Sequence, residues 1–285
     1  MKFITFQGAN ARPQAGVLLG GQVVGLAGAG FANMLSVVGS GTEGRAKIDN
    51  FVRNPPADSM FPLSSVQLLA PIPRPPKLIC VGLNYRDHAA DARQEIPKFP
   101  TIFAKFSNVV IGPGQAIVLP KNSRKPDYEA EFAFVIGTGG RHIPGYEWRR
   151  HVFGYTAFND VSARDFQRAT SQWMIGKTFD TFAPMGPHLT SADEIADPHV
   201  LDISLRIGGE TLQHSNTREL IFKIPELVAY LSSVVTLESG DVVSTGTPAG
   251  VGFARTPPRY LRPGDEVVVS IEGIGELRNP VVAES

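Results

Sequence analysis

Proline and glycine break this chain so often that it has room for short strands and tight turns rather than long helices. It has 23 prolines and 29 glycines in 285 residues. Each proline fixes its own φ and removes a backbone donor, and glycine clusters mark turns. The apolar runs between the breaks read as strands at 101–106, 115–119, 129–137, 153–159, 202–207, 242–246 and 266–271. Gly20-Gly21, Gly208-Gly209 and Gly273–Gly275 mark hairpin turns. Helices are expected at 44–52, at 161–171 after Asp160, and from Pro225 to Val235, where Leu227, Val228, Leu231 and Val235 share one face. The fold class is β-rich α+β, built from strand pairs rather than alternating βα units.

The stretch from Ala70 to Pro76 holds four prolines and reads as a stiff extended linker. It divides a small N-terminal domain, 1–70, from a main domain, 71–285. Lys+Arg and Asp+Glu are equal at 27 each, so no broad positive field is available for nucleic acid. Pro13 to Thr42 carries no charge, but its glycines, with Gln22 and Asn33, speak against a membrane span. Cys80 is the only cysteine, sits in an apolar run and reads as a small buried hydrophobe, which fits a reducing cytoplasm.

The segment most loaded with chemistry is Asp127-Tyr128-Glu129-Ala130-Glu131, which runs into an apolar strand. Alternation puts Glu129 and Glu131 on one face and Phe132, Phe134 and Ile136 on the other. Two carboxylates at the head of a buried strand call for a neutraliser such as Mg²⁺; the alternative is an edge strand with two solvated glutamates. Asp160 is either a third acid or a helix N-cap. Arg164 and Gln167 are three apart on a helical segment, and an arginine there suits a substrate carboxylate. His88 and Asp91 meet if their segment is helical. Lys177 is either a buried cation serving an oxyanion or a lysine that snorkels to solvent. The turn from Thr245 to Gly252 lacks the Lys-Ser/Thr ending of a phosphate loop.

Together these segments resemble the fumarylacetoacetate hydrolase superfamily over about 77–280. The matching runs, in the family order, are Val81-Gly82-Leu83-Asn84-Tyr85 with Asp87-His88; Tyr128-Glu129-Ala130-Glu131; Asn159 to Asp165; Gly176-Lys177-Thr178-Phe179-Asp180; and Ser244 to Gly252. The resemblance implies a mixed β-sandwich roll with a small N-terminal domain, usually as a homodimer. It implies Mg²⁺ or Mn²⁺ on Glu129, Glu131 and Asp160, and catalytic roles for His88 and Lys177. It also implies that Tyr85, Arg164, Gln167 and Thr247 bind the substrate, and that a lid follows His88. The family's hydrolases commonly carry glutamate three residues after the histidine; here that place is Asp91, with Glu95 one turn further on.

The function expected from the resemblance is Mg²⁺-dependent hydrolysis of a C–C bond in a small 1,3-dioxo acid of the acylpyruvate kind. His88 and Asp91 would activate water and Lys177 would hold the oxyanion. The alternative is a decarboxylase, hydratase or isomerase of 2-oxo acids at the same site, and the shorter Asp91 gives it weight, since decarboxylation and isomerisation need no activated water. A non-catalytic metal- or ligand-binding protein is the reading from a different class.

Overall fold

The short β-branched and aromatic runs form two large sheets and a two-stranded ladder of Pro126–Asp127 with Ser162–Ala163. A computed structural model describes residues 1–8, 12–91 and 95–285. The strands that position the site are β1 (Lys2–Gln7), β2 (Gln14–Leu19), β3 (Gln22–Gly25), β4 (Leu78–Gly82), β5 (Thr101–Ala104), β6 (Ala130–Ile136), β7 (Val152–Asn159), β8 (Ala183–Ser191), β9 (Asp202–Ile207), β10 (Glu210–Asn216), β11 (Val242–Ser244), β12 (Glu266–Ile271) and β13 (Gly275–Ala283). The helices used below are α1 (Gly41–Arg53), α2 (Arg86–Asp91), α3 (Arg164–Gln167), α4 (Met174–Lys177) and α5 (Ile224–Val234).

The larger sheet runs Met60–Pro62, β3, β2, β1, β8, β7, β6, β11, β4, β5. Along this path neighbours are antiparallel except β11 and β4, which run parallel with Val242 opposite Leu78. The smaller sheet runs β10, β9, β12, β13 and then Ile117–Leu119. All of β6 is buried. Its Phe132, Phe134 and Ile136 share a core with Ile203, Leu205, Val267 and Val269 of the smaller sheet. Ala133 and Val135 pack on the opposite side with Phe3, Val24 and Val37 from the N-terminal region. This is the sandwich of the β-rich α+β class, with β6 as its middle layer.

The N-terminal strands join the larger sheet directly, since β1 pairs with β8 (Lys2 opposite Thr190). Ala70 and Ile72, in the proline-rich stretch, are buried in the same cluster as Ala133 and Val135. Arg45 of α1 also reaches Asp193 with two hydrogen bonds, at 3.0 and 3.2 Å. The expected hairpins form: Gly20 and Gly21 (φ 56° and 82°) turn β2 into β3, and Gly208 and Gly209 (φ 59° and 85°) turn β9 into β10. Both turns need two left-handed residues, which glycine supplies without strain.

Two expectations need correction. The helix expected at 161–171 is only Arg164–Gln167, because Ser162–Ala163 pairs as strand with Pro126–Asp127 and Asp160 spends its carboxylate elsewhere. The nine-residue strand β8, central to the sheet, was not expected, because Pro184, Gly186 and Pro187 break its pattern. Its ladder with β7 shifts register between Tyr155 and Ala157, opposite that interruption. Phe134 tests the sandwich: it is fully buried, so Phe134→Ala should cost about 3–5 kcal/mol in urea unfolding. A loss under about 1 kcal/mol would contradict its place in the core.

Candidate active site and metal centre

Antiparallel pairing assembles the acidic cluster. Ala130 lies opposite Asn159, so Glu129, just before β6, sits beside Asp160, just after β7. The Asp160 N–H donates to the Glu129 carbonyl at 2.9 Å, and the Glu129 N–H donates to Asn159 Oδ1 at 3.1 Å. Glu131 lies two residues on, along the same side of the strand. One carboxylate oxygen from each of Glu129, Glu131 and Asp160 lies within 4.8 Å of the others, and all three residues are buried. The solvated-glutamate and N-cap readings are therefore both set aside.

Buried like charges must be answered. Lys177, at the end of α4, bridges Glu129 Oε2 (2.5 Å) and Asp160 Oδ2 (2.6 Å). Lys105, fully buried after β5, donates to Asp160 Oδ1 at 2.5 Å and to the Val161 carbonyl at 3.0 Å. Arg164 pairs with Glu129 Oε1 at 2.6 Å and with Asp127 Oδ2 at 2.8 Å. Among the described residues Glu131 has no cationic partner; its Oε2 accepts from Ser244 Oγ at 2.5 Å and from the Gly246 N–H at 3.1 Å.

The ionisation pattern follows. Burial opposes ionisation of Glu129, but Arg164 and Lys177 outweigh it and hold the carboxyl well below the usual range. Burial, then Asp160 and Glu129, push the Glu131 carboxyl up. Burial alone would lower Lys177, yet Asp160 and Glu129 hold it firmly as an ammonium. Lys105 is pulled down, because burial exceeds what Asp160 returns.

Asp127, Glu129, Glu131 and Asp160 are four acids against three cations, Lys105, Arg164 and Lys177. Glu131 is the acid left without a cation, and its carboxyl is pushed toward the neutral form. A hard divalent cation on Glu129, Glu131 and Asp160 would take the place of that proton, with the all-oxygen donor set such ions prefer. The residues present fit the metal site expected from the sequence.

The cluster forms one end of a cavity of about 170 Å³. That volume is below the ~300–1,000 Å³ of pockets for drug-sized ligands and suits a small acid. His88, Gln167, Thr247 and Lys177 all line it, together with Arg164. Leu83, at its edge, holds a left-handed backbone (φ 53°), the kind of local strain that gathers at functional loops. Thr247 Oγ1 accepts from Gln213 Nε2 at 2.9 Å. Lys177 is 3% exposed in its side chain, so it is the buried cation and does not snorkel. Cys80 is fully buried and burial pushes its thiol up, as expected of a core residue.

Four expected residues stand elsewhere or are otherwise engaged. Tyr85 is fully buried in the main core and pairs through its backbone with Leu220, so it shapes the loop after β4 rather than lining the cavity. Asp91 shares α2 with His88, but its carboxylate turns to the Gly250 N–H at 3.5 Å, in a separate depression beside Arg255. Glu95 is exposed, and 92–94 of the expected lid lie outside the described residues. Arg164 has its guanidinium spent on Asp127, Gln167 and Glu129.

Sequence reasoning missed Lys105, Asp127 and Ser244. Asp127 accepts from Arg164 and from the N–H groups of Gly252 (2.8 Å) and Phe253 (3.0 Å), so one carboxylate ties α3 to the glycine-rich turn. Its position two residues before Glu129 was the available signal; Lys105, in the run Phe103-Ala104-Lys105-Phe106, was another isolated cation like Lys177.

The acidic cluster makes a direct prediction. Glu129→Gln and Glu131→Gln should each weaken Mg²⁺ binding by on the order of 100-fold in calorimetry. Unchanged affinity in both glutamine variants, with folding confirmed by circular dichroism, would sink the metal assignment.

Comparison with known proteins agrees with this geometry. The family model for the C-terminal domain of fumarylacetoacetate hydrolase matches residues 77–282. A mitochondrial oxaloacetate tautomerase of Rattus norvegicus is 50% identical over 224 residues, covering 78% of this chain and 72% of the relative. The crystal structure of maleylpyruvate hydrolase from Sphingobium sp. SYK-6, in complex with manganese(II) and pyruvate, superposes over 100% of both chains with TM-score 0.84 and 30% identity. That of 5-carboxymethyl-2-hydroxymuconate delta-isomerase from Mycobacterium smegmatis does so over 100% of both chains with TM-score 0.80 and 33% identity. With a family model over most of its length and enzymes of this kind as relatives, the chain belongs to the fumarylacetoacetate hydrolase family.

Proposed function

We propose that this protein is a tautomerase that interconverts the enol and keto forms of a short 2-oxo acid of the oxaloacetate type. The observation that carries the reading is the surroundings of His88. Its Nδ1 is buried without a hydrogen-bond partner; of the two acids on its helix, Asp87 is taken by the His88 backbone N–H and Ser215 Oγ, and Asp91 is turned to Gly250. Hydrolysis needs a histidine paired with a carboxylate to activate water; moving a proton between carbon and oxygen needs only a neutral base and a fixed donor. The names and identities of the curated relatives, 43–50% over most of this chain, support the same reading.

A divalent cation held by Glu129, Glu131 and Asp160 would polarise the 2-oxo oxygen. The chain's own groups do the rest. Burial lowers the His88 pKa from its ordinary 6.5, against the pull of Glu129, so the imidazole is neutral at pH 7 and able to hold a proton taken from C3. Lys177, kept as an ammonium by Asp160 and Glu129, donates to the oxygen where charge builds. Gln167 and Thr247 line the wall and orient the acid. In the enol-to-keto direction His88 takes the proton from the enol oxygen and delivers it to C3, so no net proton and no water is consumed.

The expectation of C–C hydrolysis becomes the rival outcome. With enol-oxaloacetate and Mg²⁺, the enol absorbance should decay faster than without enzyme, with no pyruvate formed. For acylpyruvates, no ¹⁸O from water should enter a carboxylic acid product. Rapid cleavage with ¹⁸O uptake would overturn the tautomerase in favour of the hydrolase. Lys177→Met should lower kcat/KM by about 10²–10³-fold.

The pH profile has a definite sign. Protonating His88 removes the base, so kcat/KM should fall as pH drops through a pKa below 6.5 and stay flat through pH 7. His88→Asn should abolish that acid limb; a limb that survives the substitution would assign the base to another group.

A further inference from the structure

Arg164, the arginine expected to bind substrate, is already engaged by three protein groups. Nε donates to Asp127 at 2.8 Å, one terminal nitrogen to Gln167 at 2.9 Å, and the other lies 2.6 Å from Glu129. A second guanidinium faces the same cavity. Arg168, one turn further along, lines it with Phe253 and Trp173. Arg168 is exposed, and among the described residues it has no acidic partner. Asp165, the acid beside it in sequence, is spent on Ser123 Oγ, the Arg124 N–H and the Phe166 N–H.

Arg168 is nonetheless held in place. Its Cζ lies 4.2 Å from the centre of the Phe253 ring, and the Arg164 Cζ lies 4.5 Å from the same ring. Phe253 is fixed in turn by its N–H bond to Asp127. The cavity lining thus combines a carboxylate cluster suited to a cation with an unpaired, aromatic-stacked guanidinium.

We propose that Arg168 receives the distal carboxylate of a dicarboxylic substrate, which makes this protein selective for 2-oxo diacids over 2-oxo monoacids. The inference deepens the tautomerase reading and rests on it for the position of the 2-oxo acid head. A planar fork binds a carboxylate through two parallel hydrogen bonds, whereas a monoacid leaves Arg168 in water and gains nothing from it.

The test compares two ligands that differ at the distal end only, 2-oxoglutarate and 2-oxopentanoate, by calorimetry on the Mg²⁺-loaded protein. Wild type should bind the diacid roughly tenfold more tightly, a preference moderated by the exposure of Arg168 and weakened by salt. Arg168→Gln should erase the preference and leave 2-oxopentanoate within about twofold; Arg168→Lys should retain part of it. With oxaloacetate, Arg168→Gln should raise KM by roughly the same tenfold and spare kcat. An absent preference in wild type, or one that survives Arg168→Gln, overturns the proposal. Because the calorimetric ligands need not turn over, an Arg168-dependent preference stands even if the tautomerase assay fails. Turnover of oxaloacetate with an unchanged KM in Arg168→Gln overturns this inference alone.

Discussion

Four acids gathered in a dry wall repel one another, and much of the local architecture answers that repulsion. An uncompensated buried charge costs several kcal/mol, so cations must arrive from different parts of the chain. Lys105 comes from the end of the edge strand β5, Arg164 from α3 and Lys177 from α4. Each is placed by backbone that has little freedom to move. Gly176, for example, lies against Gln167, where a Cβ would meet the Gln167 backbone nitrogen at 2.3 Å. The close approach of α4 to α3 that brings Lys177 to Glu129 depends on a residue without a side chain. Glu131, the acid without a cation of its own, turns this cluster from a structural knot into a site for a metal ion.

The same accounting separates residues that act on a ligand from residues that hold the actors. Arg164 has the chemistry of a substrate anchor, but three neighbours already hold it in place. Asp127 never reaches the cavity lining, yet it fixes Arg164, the Gly252 turn and Phe253 together. Any side chain at position 252 would collide with this junction, since a Cβ there would lie 2.4 Å from Asp127 Oδ1 and 2.0 Å from the Arg259 carbonyl.

Much of this was legible in the sequence. The Glu-x-Glu spacing gave a same-side pair, and Asp160 joined it because a strand ended beside it. The hairpins were visible as paired glycines, and α5 as a periodic face behind Pro225. What was hidden has physical causes. Lys105 and Asp127 carry no local pattern, and their partners lie 55 and 37 residues away. β8 was masked because its prolines mimic a loop, although its neighbours supply the ladder. The pairing of His88 with Asp91 was inferred from helical spacing, and the helix does form. Spacing sets which side chains can meet, not which of two nearby donors a carboxylate chooses, and Asp91 chose a backbone amide.

The placement of β8 has a wider consequence. It stands between the N-terminal strands and the strands that carry the acidic cluster, so β1 to β3 add to the sheet at the end remote from β6, β11 and β4. The two parts still share a core, since Phe3, Val24 and Val37 pack with Ala133, Val135 and Val242. Freedom to change lies at the tip of the N-terminal hairpin instead: the turn at Gly20-Gly21 is open, with no heavy atom within 4 Å of a Cβ at either position. It is a natural insertion point for a reporter or tether that leaves the chemistry undisturbed.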